Sequence, residues 1–239
     1  MVITRGRPGA ELVAQLRPGG TSQEAVLAEL RRVLVSGRVR PGTLLPLDQI
    51  AAAFGVSVTP VREALKTLLG EGLIRHNHRG GYIVHALSRD EFVELYAIRR
   101  ALEAAALAEA VARATAEDHA RIESRLLGQR RALRGGDITT WDAEGRGFHE
   151  DLVRPCGMPR LCTMIRDAAN STGTTRPMLR LSQARVEHLQ SDHEDLAEAF
   201  RRGSTAEVIA LASEHLIRVR TWLLETFPGA GIYPNDTSA

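Results

Sequence analysis

The sequence is poor in cysteine, in aromatic residues and in long apolar runs. Its two cysteines, Cys156 and Cys162, have the spacing of neither a zinc knuckle nor a redox pair, so we expect reduced thiols in a cytoplasmic protein. No stretch approaches the roughly 20 uncharged apolar residues that cross a bilayer. The first residues also lack the apolar core of a signal peptide. The composition therefore argues against a secreted or membrane protein.

Aromatic residues make up only 4% of the chain and Lys66 is its single lysine, whereas Ala, Leu and Arg abound. These three are strong helix formers, so we predict a mainly α-helical protein. The net charge of +2 is unevenly divided: residues 21–87 carry eight basic and five acidic side chains, and residues 88–239 carry twenty and twenty-three. This division favours a polyanion-binding module beside a second domain, although chance scatter would give the same imbalance.

Residues 1–20 are rich in Gly, Pro and Arg and have no hydrophobic period, which predicts a flexible arm. Thr21 and Glu24 then form a capping box that opens a first helix. A second helix, Leu47 to Phe54, ends at Gly55. The third begins with Thr59 as its N-cap.

A β-hairpin is predicted after these helices. The β-prone runs 73–76 and 82–85 flank a segment, 77–81, whose residues tolerate positive φ. The second and third helices form a helix-turn-helix whose second helix would enter the major groove of DNA. Residues 21–87 are therefore predicted to be a winged helix-turn-helix domain, with three helices and a hairpin.

The candidate DNA contacts lie on the third helix and at the hairpin tip. Arg62 is the candidate for base contact, because a guanidinium bonds bidentately to guanine. Ser57 and Thr59 lie where a helix N-terminus meets a phosphate, and a basic tip can enter a minor groove. The alternative is a solvated helix face. The full set is Ser57, Val58, Thr59, Arg62 and Lys66 on the helix, with His78, Arg79 and Gly80 at the tip.

Four segments of this region carry a family resemblance. They read Val39-x-Pro-Gly-x-x-Leu, Ile50-Ala-x-x-Phe-Gly-Val-Ser-Val-Thr-Pro-Val-Arg-Glu-Ala-Leu, Leu69-x-x-Glu-Gly-Leu-Ile and Arg79-Gly-Gly-Tyr-Ile-Val. The region closely resembles the winged-helix domain of the GntR family of bacterial repressors, which implies a homodimer on a palindromic operator. The family usually has Arg directly after the serine that Ser57 matches. Here Val58 stands instead, which implies a different operator; a valine could contact a thymine methyl.

From Ser88 onward the pattern is helical throughout. Capping boxes begin at Ser88 and Thr115, and the periodicity predicts a bundle of about six helices. We expect an effector-binding and dimerisation domain over residues 88–227 and a disordered tail over 228–239. The predicted fold class is thus mainly α: a winged helix-turn-helix followed by an all-α bundle.

The second half resembles the helical FCD domain of the FadR-like subfamily. The matching pieces are Arg99-x-x-Leu-Glu103, Phe148-His149, His193-x-x-Leu-x-x-Ala and Ala212-x-x-His215-Leu. In many relatives an Asp and three His bind a divalent metal, and a carboxylate ligand completes its shell. The resemblance implies that His149, His193 and His215 converge, with Arg99 turned inward and Asn170 as a further pocket residue.

The aspartate of that metal site is missing. Its position, four residues before His149, is Gly145. Asp142 lies about 10 Å away along the helix axis, and Glu144 points about 140° away. Two interpretations stay open: the three histidines hold zinc or nickel more weakly than four ligands would, or they form a metal-free pocket that favours an anion. Arg99 would clamp a ligand carboxylate or pair within its helix.

These observations predict a DNA-binding transcriptional regulator whose operator affinity is controlled by a small carboxylate-bearing effector. We expect it to act as a repressor. One alternative is a DNA-binding protein that has lost its sensor, with Gly145 as the trace of that loss. A remote alternative is a metalloenzyme in which three histidines activate water through a metal. The sequence has no glycine-rich phosphate loop and no general base of defined direction to support an enzyme.

Overall fold

The computed structural model describes residues 9–36, 39–77, 80–173 and 177–226. The expectations for His78, Arg79 and the tail 228–239 lie outside the described residues. Within them the helices are α1 Ala10–Val13, α2 Gln23–Val35, α3 Leu47–Phe54, α4 Val58–Gly70, α5 Arg89–Arg113, α6 Ala116–Arg134, α7 Ile138–Val153, α8 Pro159–Gly173, α9 Gln183–Arg201 and α10 Thr205–Thr226. The strands are β1 Leu44–Leu45, β2 Ile74–His76 and β3 Tyr82–Val84. Short 3₁₀ turns occupy Arg154–Cys156 and Pro177–Arg180.

The chain divides into two compact units between Leu87 and Ser88. The first unit contains the described residues up to Leu87 together with 170–173. The second contains Ser88–Ala169 and the described residues from Pro177 onward. Each unit has its own apolar core, so each supplies its own burial of apolar surface.

The first unit is a three-helix core closed by a small sheet. Apolar residues three or four apart on α2, α3 and α4 form one face of each helix, which packs inward. The fully buried ones include Leu30, Leu34, Ile50, Leu65 and Leu68. The structure confirms the predicted combination of helix-turn-helix and wing.

The sheet has three strands in the order β1-β3-β2, all antiparallel. Leu45 pairs with Tyr82, and His76 pairs with Tyr82 from the other side. The predicted hairpin is therefore present, with an additional strand on its edge. A two-residue strand is too short to show the alternation of apolar and polar residues that predicts a strand. Leu44–Leu45 is a strand only because it pairs with β3.

Two helix starts differ from the sequence-based prediction. Ser22, not Thr21, caps α2, and its Oγ accepts a hydrogen bond from the Ala25 backbone at 3.1 Å. Ser57, not Thr59, is the N-cap residue of α4, whose first helical residue is Val58. In both cases the serine has the extended backbone that an N-cap requires. The capping boxes at Ser88 and Thr115 are confirmed.

The predicted flexible arm over residues 1–20 is wrong for its second half. Ala10–Val13 forms α1, and Leu12 is fully buried in the first core. The N-cap residue of α1 is Gly9, whose φ of +84° and position against Pro46 leave no room for a side chain. One buried leucine and one glycine thus fix a segment whose composition resembles that of a linker.

The second unit is an all-α bundle of α5 to α10, which agrees with the six helices expected. Its core is centred on large fully buried side chains, among them Phe148 and Phe200. Among the described helices, none combines the length and the apolar character that crossing a bilayer demands.

The role of α1 is testable. Leu12→Ala should lower the free energy of unfolding by about 2–5 kcal/mol, because it removes a fully buried side chain and leaves a cavity. The midpoint of urea denaturation of the full chain measures this. Glu11→Ala, at an exposed position of the same helix, is the control and should change stability by less than about 0.5 kcal/mol. Equal stability of the two variants would show that α1 does not pack on the core in solution.

Candidate functional site

The helix-turn-helix is made rigid by its turn and by its buried face. Gly55 adopts a left-handed conformation at φ +65°, which ends α3 and redirects the chain into α4. On α4, Val61, Leu65 and Leu68 are fully buried. That spacing leaves the opposite face of α4 exposed to solvent, including Arg62.

The structure locates most of the predicted DNA contacts on one exposed surface. Ser57, Thr59, Arg62 and Lys66 are all exposed. Val58 differs, because it is half-buried and packs against the first core. Less of its side chain is therefore available to a base than the sequence suggested.

Two further exposed features belong to the first unit. Lys66 forms an ion pair with Glu63 at 2.8 Å, both side chains being largely solvent-exposed, so the pair contributes little stability and lysine can exchange partners. Gly80 of the hairpin is exposed, with a φ of +94° that favours glycine. The other tip residues, His78 and Arg79, lie outside the described part of the chain.

Three histidines converge inside the second unit. His149 comes from α7, His193 from α9 and His215 from α10. One ring nitrogen of each lies within 4.8 Å of the others, and the ring centroids are 4.7 to 5.1 Å apart. His193 and His215 are buried, while His149 is half-buried.

The outer partner of His215 is a carboxylate. Its Nδ1 lies 3.1 Å from Oδ2 of Asp192, which also accepts a hydrogen bond from Arg218. Burial would raise the pKa of Asp192, but His215 and Arg218 together hold that pKa below its usual value. An ionised Asp192 fixes His215 with its Nδ1 protonated, so that its Nε2 lone pair faces the cluster.

His193 is enclosed by aromatic rings. The indole of Trp141 is stacked at 6.1 Å and the ring of Phe148 lies 4.9 Å away. Burial, followed by the charge of neighbouring groups, lowers the pKa of both His149 and His193 well below the ordinary histidine value. Neutral imidazoles are the form that binds a metal, so the cluster fits zinc or nickel in the chemistry of its donors.

The sequence-based reading missed Gln129, a fully buried residue of α6. Its amide nitrogen and oxygen lie 2.9 and 3.2 Å from Nδ1 of His193. A Cβ on Gly145 would lie 2.8 Å from that amide nitrogen and 3.5 Å from Cε1 of His193. Gln129 therefore fills the space beside the position of the missing family aspartate. The available signal was a glutamine on the apolar face of α6, in step with Ile122 and Leu126.

Neither nearby acid replaces the missing aspartate. Asp142 pairs with Arg146, and Glu144 pairs with Arg125 at 3.0 Å. Both carboxylates are thus engaged with arginines. The sequence argues against Asp142 by its distance along α7 and against Glu144 by its direction.

Arg99 is buried on α5 and has the intrahelical partner that was one of the two roles weighed from the sequence. It bonds Glu103 through Nε at 3.0 Å and lies 5.4 Å from the ring centre of Tyr96. Burial acts to lower the pKa of Arg99, but Glu103 and Tyr96 raise it above its usual value, and burial raises the pKa of Tyr96 to about 12. The Arg99 charge also contributes to the lowered pKa of His149. Asn170, by contrast, groups with the first unit.

Sequence comparison with protein families gives matches to both units. Residues 22–84 match the bacterial regulatory proteins of the gntR family, and residues 94–218 match the FCD domain. The chain belongs to the GntR family of regulators with an FCD domain. It is a DNA-binding transcriptional regulator, and the metalloenzyme alternative gains nothing from these matches.

Individual relatives agree with this assignment. The regulator is 32% identical over 129 residues to the uncharacterized HTH-type transcriptional regulator YdhC of Bacillus subtilis, a match that covers 52% of this chain and 56% of that one. It is 26% identical over 196 residues to the HTH-type transcriptional repressor GlaR of Escherichia coli, covering 79% of this chain and 89% of that repressor.

Among solved structures, Escherichia coli McbR/YncC superposes with a TM-score of 0.78. The match covers 86% of the regulator and 98% of that chain at 24% identity. This likeness establishes the shared fold alone.

The packing around Gly145 makes a prediction about restoring the family aspartate. Gly145→Asp should destabilise the protein by about 1–3 kcal/mol, because its Cβ would displace the buried Gln129 amide from its hydrogen bond with His193. In Gly145→Asp/Gln129→Ala the space is open, and a carboxylate one turn from His149 should raise zinc affinity above that of Gln129→Ala alone. Urea denaturation and calorimetric zinc titration measure the two effects. If Gly145→Asp alone were as stable as the unaltered chain, the packing of Gln129 against Gly145 would be contradicted.

Proposed function

We propose that the regulator is a homodimeric repressor that binds a palindromic operator and responds to a small organic acid at its histidine cluster. The convergence of His149, His193 and His215 inside the second unit carries the effector part of this proposal. The exposed basic face of α4 carries the DNA part. Operator DNA and effector would both be met in the cytoplasm.

The DNA part follows from what α4 exposes. Arg62 projects from a helix whose opposite face is fixed in the core, so its guanidinium can approach base edges without unfolding. Ser57 and Thr59 at the start of α4 suit phosphate contact, since helix N-termini attract anions. A two-fold dimer would set two such helices about one turn of duplex apart.

The effector part follows from the charge and burial of the cluster. His149, His193 and His215 would hold zinc or nickel through neutral nitrogens, and the metal would supply a positive centre with open positions for a carboxylate. Arg99 adds a buried positive charge on α5. A small organic acid would suit the open positions of the metal, and Arg99, which is paired with Glu103, has further N–H donors that a carboxylate could accept from.

A lost sensor is the less favoured alternative. In a protein that no longer senses an effector, the histidines could lose their hydrogen-bond partners or be replaced by apolar residues. Instead, His215 keeps a carboxylate partner, Asp192, and His193 keeps an amide partner, Gln129. Outer partners of this kind orient metal-binding histidines, so the cluster has the organisation of a working site.

Effector control would act by differential affinity. An acid that binds one arrangement of the dimer more tightly shifts the population toward it, and operator affinity changes by the same coupling free energy. The direction of the response is set by which arrangement matches the operator.

Base recognition by Arg62 is tested by substitution. Arg62→Ala should weaken binding to the operator by about 1–3 kcal/mol and reduce the preference over random duplex. Fluorescence anisotropy with a fragment of the regulator's own promoter measures both. Arg160→Ala, an exposed arginine of the second unit, is the control and should leave affinity unchanged. Equal loss on operator and random duplex would assign Arg62 to phosphate contact instead.

The effector site is tested with the same anisotropy assay. Zinc, nickel and a panel of small carboxylic acids are titrated into the full-length protein on its promoter fragment. We expect an acid to change operator affinity, and His193→Ala to reduce zinc affinity by more than about 10-fold. His119→Ala, outside the cluster, is the control. A protein whose operator affinity responds to no metal and no acid would favour the lost-sensor alternative.

A further inference from the structure

Gln129 presents both ends of its amide to a single histidine nitrogen. The amide nitrogen and oxygen lie 2.9 and 3.2 Å from Nδ1 of His193, and the side chain is 0% exposed. An amide offers a donor and an acceptor. By turning about its last bond, Gln129 can therefore serve His193 whichever of its nitrogens carries the proton.

The hydrogen bonds of the cluster select one arrangement when no metal is bound. Ionised Asp192 can only accept, so His215 donates from Nδ1 and has a lone pair on Nε2. Nε2 of His193 lies 3.4 Å from Nε2 of His215, so in this arrangement it donates the proton of that contact. Nδ1 of His193 is then an acceptor, and the Gln129 amide N–H donates to it.

Metal binding requires the opposite arrangement at His193. The nitrogen that faces the cluster is Nε2, which must give its lone pair to the ion. The proton then resides on Nδ1 and needs an acceptor, because an unpaired buried N–H is costly. The amide oxygen of Gln129 is within reach.

We propose that Gln129 is a positioning residue that gives the histidine cluster two satisfied states, one empty and one metal-bound. The inference about the metal-bound state rests on the proposed function, whereas the inference about the empty state rests only on the hydrogen bonds of the cluster. A carboxylate in place of the amide could only accept, so it would hold His193 in the metal-binding form permanently. To bind a metal, the site must break the N–H···N bond between His193 and His215 and turn the Gln129 amide. This cost lowers metal affinity, so the metal can bind and leave reversibly.

The glycine at position 145 is the counterpart of this arrangement. Any side chain there would begin 2.8 Å from the Gln129 amide nitrogen, closer than non-bonded atoms pack. The residue that removes the family aspartate therefore also makes room for the amide. A site whose empty state is stabilised accounts for both the glycine and the buried amide.

Histidine nitrogen NMR on the full-length, metal-stripped protein tests the empty state without any substitution. We expect His193 to show a protonated Nε2 and an unprotonated Nδ1, and zinc to reverse the two. A metal-free His193 already protonated on Nδ1, or a spectrum that zinc leaves unchanged, would overturn the proposal. If no zinc or nickel binds at all while an acid still shifts operator affinity, the two-state inference fails and the effector proposal stands.

Substitutions separate the amide's role from simple packing. Gln129→Glu should show Nδ1 protonation of His193 even without metal, with zinc affinity raised by about 10-fold or more. Gln129→Met should leave His193 as a mixture of the two tautomers. Gln190→Met removes a buried amide that bonds Trp141 rather than a histidine, and as the control it should leave His193 as in the unaltered chain. The same spectrum in Gln129→Met as in Gln190→Met would mean that Gln129 only fills space.

Discussion

The second unit brings three imidazoles together at a point where α7, α9 and α10 meet, and the hydrogen bonding of those rings constrains the packing around them. Burying polar rings is favourable only when their nitrogens are hydrogen-bonded. Asp192 and Gln129 meet that requirement for His215 and His193, while Trp141 and Phe148 enclose His193. The same contacts that make the cluster stable also hold its ring nitrogens toward one another.

The first unit depends on a different constraint, the close packing of a short helix-turn-helix. Leu65 and Leu68 fix the inner face of α4 in the core, and the left-handed Gly55 fixes its direction of entry. The outer face, with Arg62, is therefore rigid. A rigid helix loses little entropy when it enters a groove, which favours recognition by a few well-placed side chains.

The interpretation of Gly145 depends on the residues that surround it. Compared with the family pattern alone, it is a lost ligand and suggests a weakened or abandoned site. Beside Gln129 it is a space that another helix fills. A binding site is thus altered by a pair of positions, one that withdraws a side chain and one that supplies a different donor to the same histidine.

The sequence by itself determined the order of the elements, the two-part organisation of the motifs and the histidines of the cluster, because caps, periodicity and family motifs are local patterns. Only the tertiary structure decided that Leu12 anchors α1, that Leu44–Leu45 pairs with the wing and that Val58 turns partly inward. It alone brought Gln129 to His193 and Asp192 to His215. Contacts between separate helices leave no period along the chain, since they are set by how buried faces pack and by which polar groups must find partners there.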